Sequence, residues 1–385
     1  MLTKKMTTAV ASCLGVAALV FPLAGATSAQ SAPAGSLAPP KIDIAGAVGE
    51  KNSSDPNLLE NQDNEYNYVS FGDSMASDPT VADIRAERAI DRGVNMTWPT
   101  IQSEGVDGKC AQGPNNYARQ VAKNTGLRLD DYSCSGLTAY SPSNPLVPGK
   151  RTQIKHYVNK AVDDGALNDK TELVTVLVGF NEFYSKDTWT MTDEQRAQAF
   201  HDEIVPSLNK IREHAPNAQI QMLGYPDETD GRNNTCGSNL LGMTTTWYFP
   251  PIAFFQDRMR DYQRDAAAAA SDGQTDPNEA RDGGVTFIDM MDEINVTRGN
   301  SGCQQDGPRL NSTIFDDSPH RLSVHLTSNG HEYYAARIAE EYDNAKTGAD
   351  FGTSEWISPH LPDFDPNAPM NRLTAPLPWK PEIPR

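Results

Sequence analysis

Between about residues 63 and 348, short apolar runs alternate with stretches of helical period. This alternation constrains the fold more than any other feature, because strands that alternate with helices form a parallel sheet wrapped by helices on both faces. The predicted strands are 66–71, 127–132, 173–178, 219–223 and 285–289. The predicted helices are 116–124, 153–162, 193–213, 255–270 and 329–342. A span of this length buries one substantial core, so one domain over 63–348 is expected. The stretches 75–115 and 224–256 read as long loops that carry Trp98, Trp247, Tyr248, Phe249, Phe254 and Phe255. Each of these rings suits either a pocket wall or the core.

Residues of chemical interest fall at the ends of the predicted strands. Gly72-Asp73-Ser74 follows the first, Cys134-Ser135-Gly136 the second and Gly179-Phe180-Asn181-Glu182 the third. A serine hydroxyl attacks poorly until a base takes its proton. Placed after a buried strand, Ser74 exposes Oγ at the carboxyl edge of the sheet, where such folds bind ligands. The backbone N–H groups of Ser74 and Gly136 and the Asn181 carboxamide then suit an oxyanion that develops nearby. Each motif alone also reads as a turn, since Gly, Asp, Ser and Asn favour turns. Their order along one chain favours acyl transfer. Asp73 is expected to bond loop amides and Glu182 to orient its loop.

Seven histidines compete for the role of base. His201 and His214 lie in a charged helix, His156 reads as solvent-facing and His360 falls in the C-terminal tail. His331 lies within the last helix and reads as a helix-face residue. His320 follows Asp317-Ser318-Pro319, an Asp-x-x-His spacing. His325 stands just before Thr327 and Ser328, which cap the final helix, with Gly330 beyond it. That support makes His325 the preferred base.

Residues 1–29 combine Lys4 and Lys5, an apolar run and Thr27-Ser28-Ala29, the pattern of a signal peptide. Residues 30–62 lack apolar period and read as a disordered linker, and 349–385 as a Pro-rich tail. Loss of Lys4 and Lys5 takes the net charge from -18 to -20. Such acidity argues against nucleic acid or anionic lipid as a partner. No second long apolar stretch suggests a stable membrane span. Cys13 leaves with the signal peptide, and an even count of cysteines in an exported chain favours disulfides. Four cysteines allow three pairings. Cys110 with Cys134 and Cys236 with Cys303 is preferred, because the first ties a loop to Gly136 and the second joins two long loops ahead of His325. A zinc site is the alternative, although no CxxC or HExxH spacing supports it.

Taken together, these motifs make the chain resemble an SGNH (GDSL-type) hydrolase over about 63–348. Ser74, Gly136, Asn181 and His325 match the four residues for which that family is named, in order. Cys110, Asn115-Asn116-Tyr117, the run Asp131-Tyr132-Ser133-Cys134-Ser135-Gly136 and Leu173-Val174-Thr175-Val176 are similar to its secreted actinobacterial esterase branch. The resemblance implies an α/β fold, a three-layer α/β/α sandwich with a mostly parallel five-stranded, flavodoxin-like sheet. It also implies hydrolysis of acyl esters with no cofactor and no metal. Three positions depart from the family pattern. Glu182 stands where Asp is usual, Leu326 where Pro is common, and Leu322 where a triad Asp is expected three residues before the histidine. Some members of the branch work with a Ser–His pair whose ring is held by a main-chain carbonyl. Here that carbonyl would be that of Leu322 or a neighbour, with Asp317 as the rival side-chain orienter.

The expected protein is therefore a secreted or envelope-located serine esterase or lipase acting on small-molecule or lipid esters, cell-envelope lipids or acylated glycans among them. An acyltransferase with the same residues and an inactive envelope-binding protein on the same fold are the alternatives. Acyl length, alcohol partner and oligomeric state are left open by the sequence.

Overall fold

The computed structural model describes residues 61–101, 103–106, 108–142, 152–271, 284–294, 300–304 and 309–347. The expected signal peptide, most of the linker and the Pro-rich tail lie outside the described residues. In chain order the elements are β1 (Asn67–Gly72), α1 (Ser74–Ser77), α2 (Val81–Asp91), β2 (Ser103–Glu104), β3 (Lys109–Cys110), α3 (Tyr117–Thr125) and β4 (Arg128–Asp131). Then come α4 (Ile154–Asp163), β5 (Thr171–Leu177), a 3-10 turn (Phe180–Tyr184), α5 (Asp193–His214) and β6 (Gln219–Leu223). The rest are β7 (Asn234–Leu240), β8 (Met243–Tyr248), α6 (Pro250–Ala270), β9 (Val285–Ile288), α7 (Met290–Glu293), β10 (Phe315–Asp316) and α8 (Ser328–Thr347).

Five strands form the central sheet in the order β4-β1-β5-β6-β9. All four pairings are parallel, in keeping with the parallel five-stranded sheet expected. Strand β1 is buried at every residue and β5 at nearly every one, as expected of parallel strands covered on both faces. Alternation along β6 separates those faces. Gln219 and Gln221 donate to the Glu341 and Ile338 carbonyls of α8 (3.3 and 3.2 Å). Ile220 and Met222 point the other way. Tyr117 of α3 stacks on Tyr334 of α8, whereas Phe200 of α5 meets Tyr262 of α6. Two helical layers thus enclose one sheet. Each buried Leu- or Phe-sized side chain in this core stabilises by about 1.5–3 kcal/mol.

The chain begins at β1, moves out to β4, then crosses back to β5 and continues to β9. Its direction therefore reverses between β1 and β5. At such a point the two connections leave the carboxyl ends on opposite faces and open a crevice. The segments after β1 and β5 carry Ser74 and Asn181.

The regions read as loops hold more structure than expected. Helix α2 occupies part of 75–115, closed by a capping box in which Thr80 and Asp83 bond each other's backbone N–H. Its buried face includes Asp83 and Glu87, which interrupts the apolar period. A hairpin, β7 and β8, fills much of 224–256, and β10 joins it as a third strand. Helix α6 starts at Pro250 rather than 255, because Pro fits the first helical positions, where an N–H has no partner to lose. Disulfides join Cys110 to Cys134 and Cys236 to Cys303, with Cα atoms 5.0 and 5.4 Å apart.

Candidate active site

Ser74 opens α1 directly after β1. The turn is tight, and a Cβ on Gly72 would overlap that of Ala76. Asp73 caps the helix: its Oδ1 accepts from the Met75 N–H (2.9 Å) and its own N–H donates to the Leu177 carbonyl (3.2 Å). Its Oδ2 accepts from Tyr225 Oη (2.6 Å) and Asn181 Nδ2 (3.3 Å). Burial pushes the Asp73 carboxyl up to about 6, against the pull of the Tyr225 and Met75 bonds. Asp73 is thus a fastener between the ends of β1 and β5. Ser74 itself is half-buried, and its N–H belongs to the first helical turn, which has no i-4 carbonyl to receive it.

His325 reaches Ser74 from the far end of the chain. Its Nε2 lies 2.9 Å from Ser74 Oγ and its Nδ1 2.9 Å from the Ser323 carbonyl. A carbonyl only accepts, so Nδ1 carries the proton and Nε2 accepts from the serine. The orienting oxygen is that of Ser323 and not of Leu322. Val324 has a left-handed backbone (φ 59°), which bends the chain so that the carbonyl two residues before His325 meets the ring. The Leu322 oxygen instead accepts from Ser312 Oγ (3.3 Å). Ser312 also receives the His325 N–H (3.2 Å) and donates its own N–H to the His325 carbonyl (2.8 Å). Loss of water around the ring pulls its pKa down to about 4, although the Ser323 carbonyl and the Asp78 charge work in the other direction.

Asp317 does not face His325. It pairs with Arg309 and accepts from the Leu241 N–H (2.7 Å). The side chain of Asp316 is buried and takes Arg309 (2.8 Å), the Ser318 N–H (2.8 Å) and the Thr313 N–H (2.9 Å). His320 Nδ1 sits 2.6 Å from the Ser318 carbonyl. Leu326, in the place often held by Pro, is fully buried in the core. Thr327 Oγ1 donates to the Arg309 carbonyl (2.7 Å) and accepts from the Gly330 N–H (3.1 Å). A Cβ on Gly330 would collide with the Leu310 carbonyl, so only glycine lets α8 begin this close to the segment holding His325.

On the other side of Ser74, the Cys134 N–H donates to the Gly72 carbonyl (2.8 Å), which seats the Gly136 loop beside the end of β1. Gly136 has φ 83°, a conformation that side chains resist. Asn181 Nδ2 donates to the Leu137 carbonyl (2.9 Å) as well as to Asp73. Glu182 Oε1 collects the N–H groups of Ala139, Tyr140 and Ser141 (2.7, 3.1 and 3.4 Å). The longer Glu in place of Asp thereby anchors the chain that follows Gly136. Burial raises its carboxyl to about 8 despite those three amides. Phe180 and Phe183 flank Asn181 and pack against Phe255, with Phe183 also meeting Phe249.

A polar cluster behind the pair escaped the sequence reading. His331 is buried; the Tyr117 N–H donates to its Nδ1 (3.2 Å), so its protonated Nε2 faces Asp78 Oδ1 (3.3 Å). Asp78 ends α1, four residues after Ser74, and its N–H donates to the Ser74 carbonyl (3.1 Å). Arg321 donates to the Asp78 carbonyl (2.8 Å) and to Asp83 Oδ2 (2.6 Å). It thus bolts the segment of His325 to the helix of Ser74. The pairing of a helix-face histidine with an aspartate at a left-handed turn leaves no spacing signature in the sequence.

The model of the GDSL-like Lipase/Acylhydrolase family matches residues 71–333, more than half of the chain. The chain belongs to that family. As a GDSL-like acylhydrolase it is a hydrolase that acts on esters. No curated protein matches it. Among solved structures, phospholipase A1 from Streptomyces albidoflavus NA297 is 18% identical, with 72% of this chain and 99% of that one covered and a TM-score of 0.41. An extracellular lipase from Streptomyces rimosus is 21% identical, with 72% and 99% covered and a TM-score of 0.39. A family two carbohydrate esterase from Clostridium thermocellum is 15% identical, with 74% and 64% covered and a TM-score of 0.42. Likeness at this level says nothing about the substrate.

Among the described residues of this GDSL-like chain, no three His, Cys, Asp or Glu side chains could hold a metal ion together, and no helix is long and apolar enough to cross a membrane. A cavity of about 490 Å³ is lined by Ile90, Met96, Trp98, Ile101 and Lys109 among others, and by no residue of the Ser74 site. Trp98 Nε1 donates to Asp83 (2.7 Å), which also takes Arg321 (2.6 Å).

Proposed function

We propose that this chain is a secreted esterase or lipase whose nucleophile is Ser74 and whose base is His325. The observation that carries the reading is the relay from Ser74 Oγ to His325 Nε2 and from Nδ1 to the Ser323 carbonyl, each 2.9 Å. Ser74 attacks the ester carbonyl carbon as His325 takes its proton. The resulting imidazolium gives that proton to the departing alcohol and leaves an acyl-serine. Water, deprotonated by the same ring, releases the acid and restores Ser74. The Ser74 and Gly136 N–H groups and Asn181 Nδ2 hold the oxyanion. For Asn181, the long contact to Asp73 is the one an oxyanion would replace. Phe180, Phe183 and Phe249 offer the acyl group an apolar wall. Export is supported by the N-terminal pattern and by the two disulfides, which persist in oxidising surroundings. The cysteines and the Asn115-Asn116-Tyr117 context favour the actinobacterial esterase branch.

The test is labelling of the mature chain by a fluorophosphonate, alongside turnover of a short nitrophenyl ester. Wild type should label and turn over. Ser74→Ala should do neither, keeping at most the ~10³–10⁴ over water that binding and an oxyanion hole supply. Near-normal turnover by a folded Ser74→Ala protein would overturn the assignment.

A further inference from the structure

The small sheet β10-β7-β8 takes no part in the chemistry proposed above, and its register sorts its side chains onto two faces. Cys236 and Asn239 are buried, and Asn239 Nδ2 donates to the Gly302 carbonyl (2.9 Å). The opposite face carries Leu240 paired with Met243, Phe315 beside Ser238, and Trp247 across from Thr235. These four large apolar side chains are 43%, 68%, 45% and 48% exposed. Leu241, at the tip, is 86% exposed.

Two further observations set this face apart. Leu241 and Gly242 form the two-residue connection, both with positive φ (52° and 75°). A turn of that kind favours Asn, Asp or Gly at its first position. Leucine is there the more strained choice and the less soluble one, which points from structure to use. In addition, no Asp, Glu, Lys or Arg occurs between Arg232 and Asp257. At the chain's 22% charged content, about five of those 24 residues would carry a charge.

We propose that this face and its Leu241 tip adsorb to a neutral or zwitterionic lipid–water interface. The proposal rests on the ester-hydrolase reading and narrows its substrate to aggregated lipid esters. The tip is aliphatic, which suits acyl chains. A sugar would call for convergent hydrogen-bonding side chains instead. Trp247 sits at the base of the hairpin on this face, and its amphipathic ring suits the headgroup level. An acidic protein is repelled by anionic bilayers, so a hairpin without charged residues of its own meets neutral lipid by burial, and the one carboxylate bonded to its tip, that of Asp317, is paired with Arg309. The hairpin is also joined to the site: the Leu241 N–H donates to Asp317, in the segment that supplies His325.

The test is flotation of the mature chain with phosphatidylcholine vesicles, set beside turnover of a soluble short-chain ester. Wild type should float with the vesicles, and added salt should not release it. Leu241→Asn with Met243→Thr should lower the vesicle partition coefficient by roughly a hundredfold or more, the loss expected for two buried side chains of this size. Asn suits the turn and Thr the strand, so folding is kept, and soluble-ester turnover should stay within about twofold of wild type. Ser74→Ala should bind vesicles like wild type. Wild type that stays unbound, or variants that bind as well as it does, would overturn the proposal. A dimer in sedimentation that the same substitutions dissolve would give the face to a second copy and overturn it too. Vesicle binding without ester turnover would leave adsorption standing and sink the catalytic reading, so the two fail separately.

Discussion

Ser74 and His325 meet at 2.9 Å, yet they are supported in opposite ways. Ser74 follows a strand buried at every residue, its turn fastened by Asp73 to Leu177, Tyr225 and Asn181. His325 comes from a segment with little regular structure. Ser312, Thr327, the Arg309 ion pairs and one strained residue, Val324, keep it in place. The proposed nucleophile borrows its rigidity from the core, whereas the proposed base depends on a set of individual polar contacts. Substitutions beside Ser74 should therefore act on chemistry with the fold intact, and those beside His325 chiefly on stability.

The largest effect lies on the rigid side. Asn181→Ala should lower kcat by about 10²–10³, the usual cost of one oxyanion donor. KM for a short ester should change little, because the donor acts on charge that develops in the transition state. Steady-state kinetics checks this. A loss below about tenfold would remove Asn181 from the oxyanion hole and leave it only its bonds to Leu137 and Asp73.

The histidine side is tested by pH. The imidazole must be neutral to act as base, and its pKa lies near 4 rather than 6.5. The acid limb of kcat/KM should then bend near pH 4 and fall about tenfold per unit below it. Stability follows the same proton. The folded ring resists protonation more than the unfolded one, so its contribution is whole above about pH 6.5 and is lost as pH falls through 4. An acid limb at the ordinary histidine value would mean that the ring remains well hydrated in the working enzyme.

The same contrast decided what could be read from the sequence. All five central strands were legible, and β6 matches its expected bounds; β5 stands out as a nearly continuous apolar run, whereas β6 alternates Gln with apolar residues between flanking helices. The placement of Ser74, Gly136 and Asn181 after the ends of β1, β4 and β5 was legible, because apolar or alternating runs mark those ends. Helix α2 was not, since buried Asp83 and Glu87 break its period. The β7–β8 hairpin was not, since Leu241 stands where such a turn usually begins with Asn, Asp or Gly. For the partner of His325 the sequence offered the Leu322 carbonyl or a neighbour, with Asp317 as the rival; which oxygen meets the ring depends on the φ of Val324, and nothing local in the sequence signals that.

The smallest effect is expected where a conventional triad would place the largest. A carboxylate that orients the base costs about 10⁴ in turnover when neutralised. Neither aspartate near His325 has that position. Asp317 is held by the Leu241 N–H and Arg309, which keep its carboxyl below the usual range. Asp317→Asn should lower kcat by less than about tenfold and destabilise only slightly, because the pair is partly exposed. Asp316 differs in kind. Burial alone would raise its carboxyl, yet Ser318 and Arg309 hold it below the usual range. Asp316→Asn removes the buried one of the two carboxylates on Arg309 and leaves it only the part-exposed Asp317. The cost should fall below the roughly 3–5 kcal/mol of a fully orphaned buried charge yet exceed that of Asp317→Asn. The melting temperature of Asp316→Asn should fall below that of Asp317→Asn, whereas kcat of the folded fraction should again drop less than about tenfold. Thermal melts and active-site titration separate the two quantities. A loss near a thousandfold per titrated Ser74, in either variant, would show that a carboxylate swings onto the ring when substrate binds, and that the polar contacts around His325 are looser than its position here implies.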